Sequence, residues 1–263
     1  VDAVPSALAP YVTSLVAYDV DLGDPGVHRG LPSTSVTFVL PLDEPLDVGW
    51  GDGTARSARW STVSGLHAAP AAIHHDGHQR GVQLGLTTAG SRALLGLPAR
   101  ELAGQIVDLD EAVPELADLP ERLAGLEPDD AGRVVMRALV AALARHGAAE
   151  PRAEVGRALA RLTGGGSVAA VADEVGFSRR RLTTLVKEET GLGSKGYQRV
   201  ARFEASRALL GHRPLAEVAA ECGYADQAHL AREWTELAGC SPTTWLREEF
   251  PFLQDPDGAD PAG

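Results

Sequence analysis

The residues best suited to chemistry lie between Ser178 and Lys187, and the chemistry they suit is charge neutralisation, not bond breaking. The stretch reads SRRRLTTLVK, with Arg179, Arg180, Arg181 and Lys187 as its cations. Leu182 and Leu185 return at helical spacing, so one face of the expected helix is apolar while the arginines open its first turn. Ser178 is a good N-cap for that helix. The preceding residues SVAAVADEVG predict a shorter helix, with Ala172 small enough for two helices to cross and Gly176 four places later at the turn. A bend carrying a cationic helix is the outline of a DNA-reading helix-turn-helix.

The pattern occurs twice. At a shift of 47 residues, Ala169, Val171, Ala172, Glu174 and Gly176 meet Ala216, Val218, Ala219, Glu221 and Gly223. One extra residue in the second turn makes the shift 48, and Leu182, Glu188 and Gly191 then meet Leu230, Glu236 and Gly239. Such repetition marks a duplicated supersecondary unit, and two copies are too few for a solenoid. A paired reader is expected. Between the copies, GSKGYQRVARFEASRALLGHRP predicts a helix with Tyr197, Val200 and Phe203 inward and Arg199, Arg202 and Arg207 elsewhere. About 16 residues at 1.5 Å each span about 24 Å, a suitable strut between two reading heads.

Charge and composition bound the alternatives. At 263 residues the chain has room for two cores, and 44% hydrophobic with 23% charged residues is the balance of a soluble globular protein. The net charge of −12 is uneven: residues 1–150 hold 10 Arg against 20 acidic residues, whereas residues 151–250 hold 14 basic and 13 acidic ones. Any DNA contact must therefore come from a local patch, with the acidic N-terminal part discouraging indiscriminate binding. No apolar run approaches the roughly 20 residues of a membrane span. The start, VDAVPSALAP, has no secretory pattern, and Cys222 and Cys240 have no metal-ligand spacing. Two small buried thiols in a reducing cytoplasm are expected. No G-x-S-x-G, H-E-x-x-H, phosphate loop or G-x-G-x-x-G occurs, which argues against an enzyme.

The N-terminal half reads as β-rich. Val36 to Leu40 is a short apolar run of β-branched character, Leu46, Val48 and Trp50 alternate before a turn at Asp52-Gly53, and Val82, Leu84 and Leu86 alternate again. Residues 11–90 are thus expected to form a compact barrel or sandwich. Helical pattern follows from Ser91, with SRALLGL stopped by Gly96 and Pro98 and brief helices broken by Pro114, Pro120 and Pro128. Asp130 is the expected cap of a longer helix ending at Gly147, with Val135, Leu139 and Leu143 in one stripe beside Val140. That stripe suits subunit pairing and packing on its own β unit alike. His67, His74, His75 and His78 fall within 12 residues without a matched carboxylate, and a polar loop is expected there in place of a metal site. Trp50 and Trp60 suit the core better than an effector pocket. Beyond the boundary at GAAEP, a helix carries Val155, Leu159 and Leu162 on one face, and Ser241 with Pro242 opens a last helix holding Trp245.

The C-terminal half resembles the DNA-binding domain of AraC/XylS-type transcriptional regulators over about 100 residues. The resemblance is carried by VADEVGFSRRRL, by KEETGLGSKGYQRVARFEAS, and by Gly223, Tyr224, Asp226, Gln227, His229, Leu230, Trp234, Gly239, Ser241 and Pro242 in the second repeat. Leu230 and Trp234 stand where phenylalanine is commoner, Ala228 where serine is, and Ser194 where proline is.

The resemblance implies two helix-turn-helix units whose recognition helices enter successive major grooves about 34 Å apart on one face of DNA. By position, Arg180, Thr183 and Thr184 of the first unit meet base edges, while Arg179, Arg181 and Lys187 meet phosphates. In the second unit Gln227, Ala228, His229 and Arg232 face the bases, with support of the helix cap as the competing role for His229. Arg suits guanine, Gln adenine, and an Ala methyl thymine. The expected fold is α+β: a β-rich, cupin-like barrel or sandwich with a helical extension over 1–149, an all-α double helix-turn-helix over 150–250, and an acidic, disordered tail over 251–263. The expected function is sequence-specific transcriptional regulation without catalysis, cofactor or resident metal, in which the N-terminal unit senses a small effector or pairs subunits. Partners would be double-stranded DNA, the transcription machinery and, where sensing applies, a small molecule. A partner-binding anti-activator with weak DNA affinity is the alternative, and a β-rich metal-dependent enzyme fused to a helical module stands behind it.

Overall fold

The computed structural model describes residues 4–51, 55–146 and 152–248. The Asp52-Gly53 turn, the whole GAAEP boundary including the Gly147 helix end, and the acidic tail lie outside the described residues. Two antiparallel sheets form the N-terminal part. The strands are β1 (Val12–Asp21), β2 (Gly26–Gly30), β3 (Val36–Pro41), β4 (Leu46–Trp50), β5 (Arg56–Arg59), β6 (Thr62–Ser64), β7 (Ala71–His75), β8 (His78–Leu86) and β9 (Ile106–Val107). One sheet has the order β1-β8-β3-β6-β9 and the other β2-β7-β4-β5.

The alternating strands do what their pattern predicts. Phe38 lies opposite Leu84 and Leu40 opposite Val82, so one apolar face runs across β3 and β8. This face is covered by the helices that follow: α1 (Thr88–Leu95), the short α2 (Leu109–Ala112) and α3 (Leu119–Leu123), and the long α4 (Pro128–His146). The inter-sheet side holds a much smaller apolar group around Leu46, Val48 and Ala71. The sheets are therefore stabilised mainly by the helix-covered face, and space remains between them.

Several local expectations change. Asp130 does not cap α4; Pro128 begins the helix, because proline needs no hydrogen-bond acceptor in a first turn, and Asp130 pairs with Arg133 instead. Val135 and Leu139 are buried against the same chain, whereas Val140 is 43% exposed and points away from that stripe. Trp60 is 52% exposed and is not a core residue. His74, His75 and His78 are not in a loop: Gly77, at φ +116°, makes the turn so tight that the histidines belong to β7 and β8. Strands β1, β2 and β5 have no clear alternation to reveal them.

The C-terminal part is helical: α5 (Ala153–Thr163), α6 (Val168–Glu174), α7 (Arg179–Thr190), α8 (Ser194–Leu209), α9 (Leu215–Glu221), α10 (Gln227–Ala238) and α11 (Pro242–Glu248). Both duplicated segments are helix-turn-helix units, and α8 is the 16-residue helix between them. Their cores differ in origin. Val171, Ala172, Leu182 and Val186 belong to the apolar cluster that begins in the N-terminal sheets. The second unit has its own cluster, built on Phe203, Leu230, Trp234 and Trp245.

Candidate nucleic-acid interface

The first turn is made by Gly176 at φ +72°, a left-handed conformation that favours glycine. Ser178 then caps α7, its hydroxyl accepting the Arg181 N–H at 3.2 Å. With Leu182, Leu185 and Val186 buried, Arg180, Thr183, Thr184 and Lys187 are left on the solvent side, together with Arg179 and Arg181. The Thr184 hydroxyl donates back to the Arg180 carbonyl at 3.1 Å, which leaves its oxygen an acceptor.

The cations of α7 differ from most others in the chain. Arg29, Arg56, Arg59, Arg80, Arg92, Arg199 and Arg202 all form ion pairs with carboxylates. Arg179, Arg180, Arg181 and Lys187 make none among the described residues, although acidic residues outnumber basic ones 36 to 24. A run of unneutralised charge on the open face of a capped helix makes that face locally positive in an otherwise acidic chain.

The second unit repeats the frame with milder chemistry. Gly223, at φ +73°, makes its turn, and the Asp226 carboxylate accepts the His229 N–H at 2.7 Å to cap α10. Gln227, Ala228 and Arg232 are exposed. His229 is half-buried, stands edge-on to Tyr224, and its Nδ1 accepts the Ala225 N–H at 3.2 Å. It thus supports the cap with its backbone and one ring nitrogen. Arg232 is the only cation among the four expected base readers of this helix.

Each reading helix also buries one glutamate on the side away from solvent, a feature that spacing alone does not reveal. In α7 it is Glu189, 7% exposed, which accepts Arg92 Nε at 2.9 Å and Nη2 at 2.8 Å in a bidentate pair. In α10 it is Glu233, 8% exposed, gripped by Arg199 and Arg202 of α8. Arg202 also lies over the Tyr224 ring, 4.6 Å from its centre. Burial pushes the Cys222 thiol above its ordinary range, and no disulfide links it to the buried Cys240.

The N-terminal part holds the helical part at three further points. Glu204 of α8 accepts the Ser33 hydroxyl at 2.7 Å and the Thr34 hydroxyl at 2.6 Å. Arg100 donates to the Glu188 carbonyl at 2.8 Å, and Arg29 to Glu248 of α11 at 3.1 Å. A cleft of about 340 Å³ lies at this junction, where Trp50 and His67 face Gly191 and Leu192 at the end of α7. Burial holds His67 below its ordinary value, so it is neutral at pH 7. The four clustered histidines thus serve two places: His67 here, the other three at the far end of the sheets.

Residues 171–248 match a family model described as a helix-turn-helix domain. The C-terminal part is a helix-turn-helix domain of the AraC type. Over nearly its whole length the chain is similar to the structure of ToxT from Vibrio cholerae, at 11% identity and a TM-score of 0.55, covering 92% of this chain and 99% of that one. It is also similar to ToxT from Vibrio cholerae strain SCE256 with an unsaturated fatty acid bound, at 10% identity and a TM-score of 0.53, covering 92% and 98%. Likeness at this identity establishes a shared fold, two antiparallel sheets followed by an AraC-type helical domain. No curated protein matches the chain. The domain places the protein among DNA-binding factors of transcription regulation. No helix among the described residues is long and apolar enough to cross a membrane.

Proposed function

We propose that the protein is a sequence-specific regulator that reads two adjacent major grooves with α7 and α10 and responds to a small effector in its N-terminal unit. The observation that carries this is the set of cations on the open face of α7 with no ion pair among the described residues, where most arginines are neutralised. Arg180, Thr183 and Thr184 read bases in the first groove, and Arg179, Arg181 and Lys187 hold phosphates. Gln227, Ala228 and Arg232 read the second groove, with His229 reaching it through Nε2, since Nδ1 is engaged at the cap.

We divide the chain at 149/150 into a sensing unit and a reading unit. Arg92, Arg100, Ser33 and Thr34 connect them, which gives an effector a physical route to the reading heads. That the similar ToxT structure is bound to an unsaturated fatty acid supports a small-molecule effector for this chain. The exposed side of α4 around Val140 is available for pairing two copies.

Selection of a random duplex library on the full chain tests this, followed by a salt titration of the winning sequence. Two short boxes about one helical turn apart are expected, with affinity falling steeply as salt rises. Weak binding without enrichment would overturn the reading in favour of a partner-binding role.

A further inference from the structure

We propose that the cavity at the far end of the two sheets binds a small organic cation, an amine, and not a carboxylate. The proposal rests on the effector reading above and names its ligand class. The cavity measures about 630 Å³, within the range of small-molecule sites. Its walls are Tyr18 of β1, the β3–β4 connection, the start of β2 and the β7–β8 turn. Gly26 and His75 lie at this end of their strands, whereas Gly30 and Ala71 lie at the end nearer the helical domain, beside the Arg29, Ser33 and Thr34 contacts.

The available charge in the cavity is negative. Both of its guanidinium groups already face carboxylates, although Arg80 Nε has no hydrogen-bond partner among the described residues. Arg56 pairs with Asp47 at 3.1 Å and rests on the His74 ring. Arg80 pairs with Asp43 and Asp19 at 3.3 Å and with Glu127 at 2.6 Å. Glu44 and Asp76 also line the cavity, and neither has a cation within ion-pair reach among the described residues. A carboxylate entering here meets two unpaired carboxylates and, among the described residues, no free cation, whereas an amine meets two partners in a concave, field-focusing site.

Independent of charge, the wall contains polar groups with unused hydrogen-bonding capacity. In the wall, His75 Nδ1 and Arg80 Nε are buried without a hydrogen-bond partner among the described residues. The same holds for Nδ1 of His28, which does not line the cavity but whose ring lies 5.6 Å from that of His75. Burial and the neighbouring His75 hold His28 down at about 4, so it is neutral at pH 7. Tyr18 lines the cavity half-buried, and desolvation pushes its phenol above the ordinary range, so it stays protonated. Its position is built in: a Cβ at Gly81 would come within 2.6 Å of the Tyr18 hydroxyl, so glycine there makes room for the phenol. Unpaired buried polar atoms are costly unless a ligand or water engages them. An aromatic ring, the imidazole of His75, which burial holds below its ordinary value, and two carboxylates without an ion pair suit a protonated amine, through cation–π attraction as well as charge.

Calorimetric titration of the full chain with 1,4-diaminobutane, its uncharged analogue 1,4-butanediol, and oleate tests the assignment. Saturable binding of the diamine is expected, with the diol at least about tenfold weaker and no binding of oleate. The double variant Glu44→Gln/Asp76→Asn should weaken the diamine by about tenfold or more at an unchanged melting temperature, since the amide oxygen of the new side chain can still accept the His78 N–H that Asp76 accepts. Oleate binding more tightly than the diamine, a diol binding equally well, an unaffected double variant, or no diamine binding would each overturn the site. Measuring affinity for the selected duplex in parallel separates the two readings. Diamine binding without any effect on DNA affinity would sustain the cation site and remove its effector role. DNA affinity without diamine binding would overturn the site alone.

Discussion

The two helix-turn-helix units share one backbone plan and differ in what holds them and in what they offer to DNA. Both reading helices have 12 residues, a polar N-cap and a left-handed glycine at the C-cap, Gly191 and Gly239. In each, one glutamate is buried and bound by arginine. The first unit's Glu189 is held by Arg92 from the N-terminal part, and its core is continuous with the sheets. The second unit's Glu233 is held by the linking helix, and its core is its own. The first head is therefore tied to the N-terminal sheets and helices, and the second to its partner head. Charge follows the same division, with four cations on α7 and one on the open face of α10 that have no ion pair among the described residues.

The largest effect that tests this contrast comes from Trp234→Ala. Trp234 is fully buried between Phe203 and Trp245, and its indole N–H donates to Ser206 at 2.9 Å. Truncation should cost about 3–5 kcal/mol. Amide exchange should then show α9 to α11 losing protection while α6 and α7 keep theirs; joint loss would break the idea of separate cores.

Arg92→Ala ranks next. It leaves Glu189 buried without its cation, at a cost of about 3 kcal/mol, to be read from the denaturant midpoint. Arg202→Ala should cost less, because Arg199 still reaches Glu233. Equal costs would mean that the two glutamates are not held differently after all.

At the DNA, Arg180→Ala should lose roughly 1–3 kcal/mol at one base position and relax specificity there. Gln227→Ala should lose less, since a neutral side chain forms weaker hydrogen bonds than a charged one. Gel-shift titrations against single-base operator variants measure both. Lys187→Ala is expected to have the smallest effect, weakening all sequences alike and lowering the salt slope by about 0.9. A sequence-selective loss there would move Lys187 from the phosphates to a base edge.

What is legible in the chain follows the range of the interactions involved. Gly176, Ser178, Asp226 and Gly239 act within a turn of their own position, so their roles show in spacing. The strands β3 and β8 show because alternation records a buried face. Strands β2 (GVHRG) and β5 (RSAR) do not, since their pairing depends on neighbours distant in sequence. The stripe of Val135 and Leu139 is visible, but not which surface it covers. Trp60 reads as a core residue because size and apolarity do not reveal that it sits in the exposed bend between β5 and β6.

By itself the sequence determined the duplicated unit, its turns and caps, the linking helix and the cationic first reading helix, because each depends on contacts within a few residues and repeats at a fixed shift. Only the tertiary structure decided which cations remain free. Arg92 and Glu189 are 97 residues apart, and Ser33 and Glu204 are 171 apart. An arginine neutralised across such a distance looks, in sequence, the same as one left open for DNA.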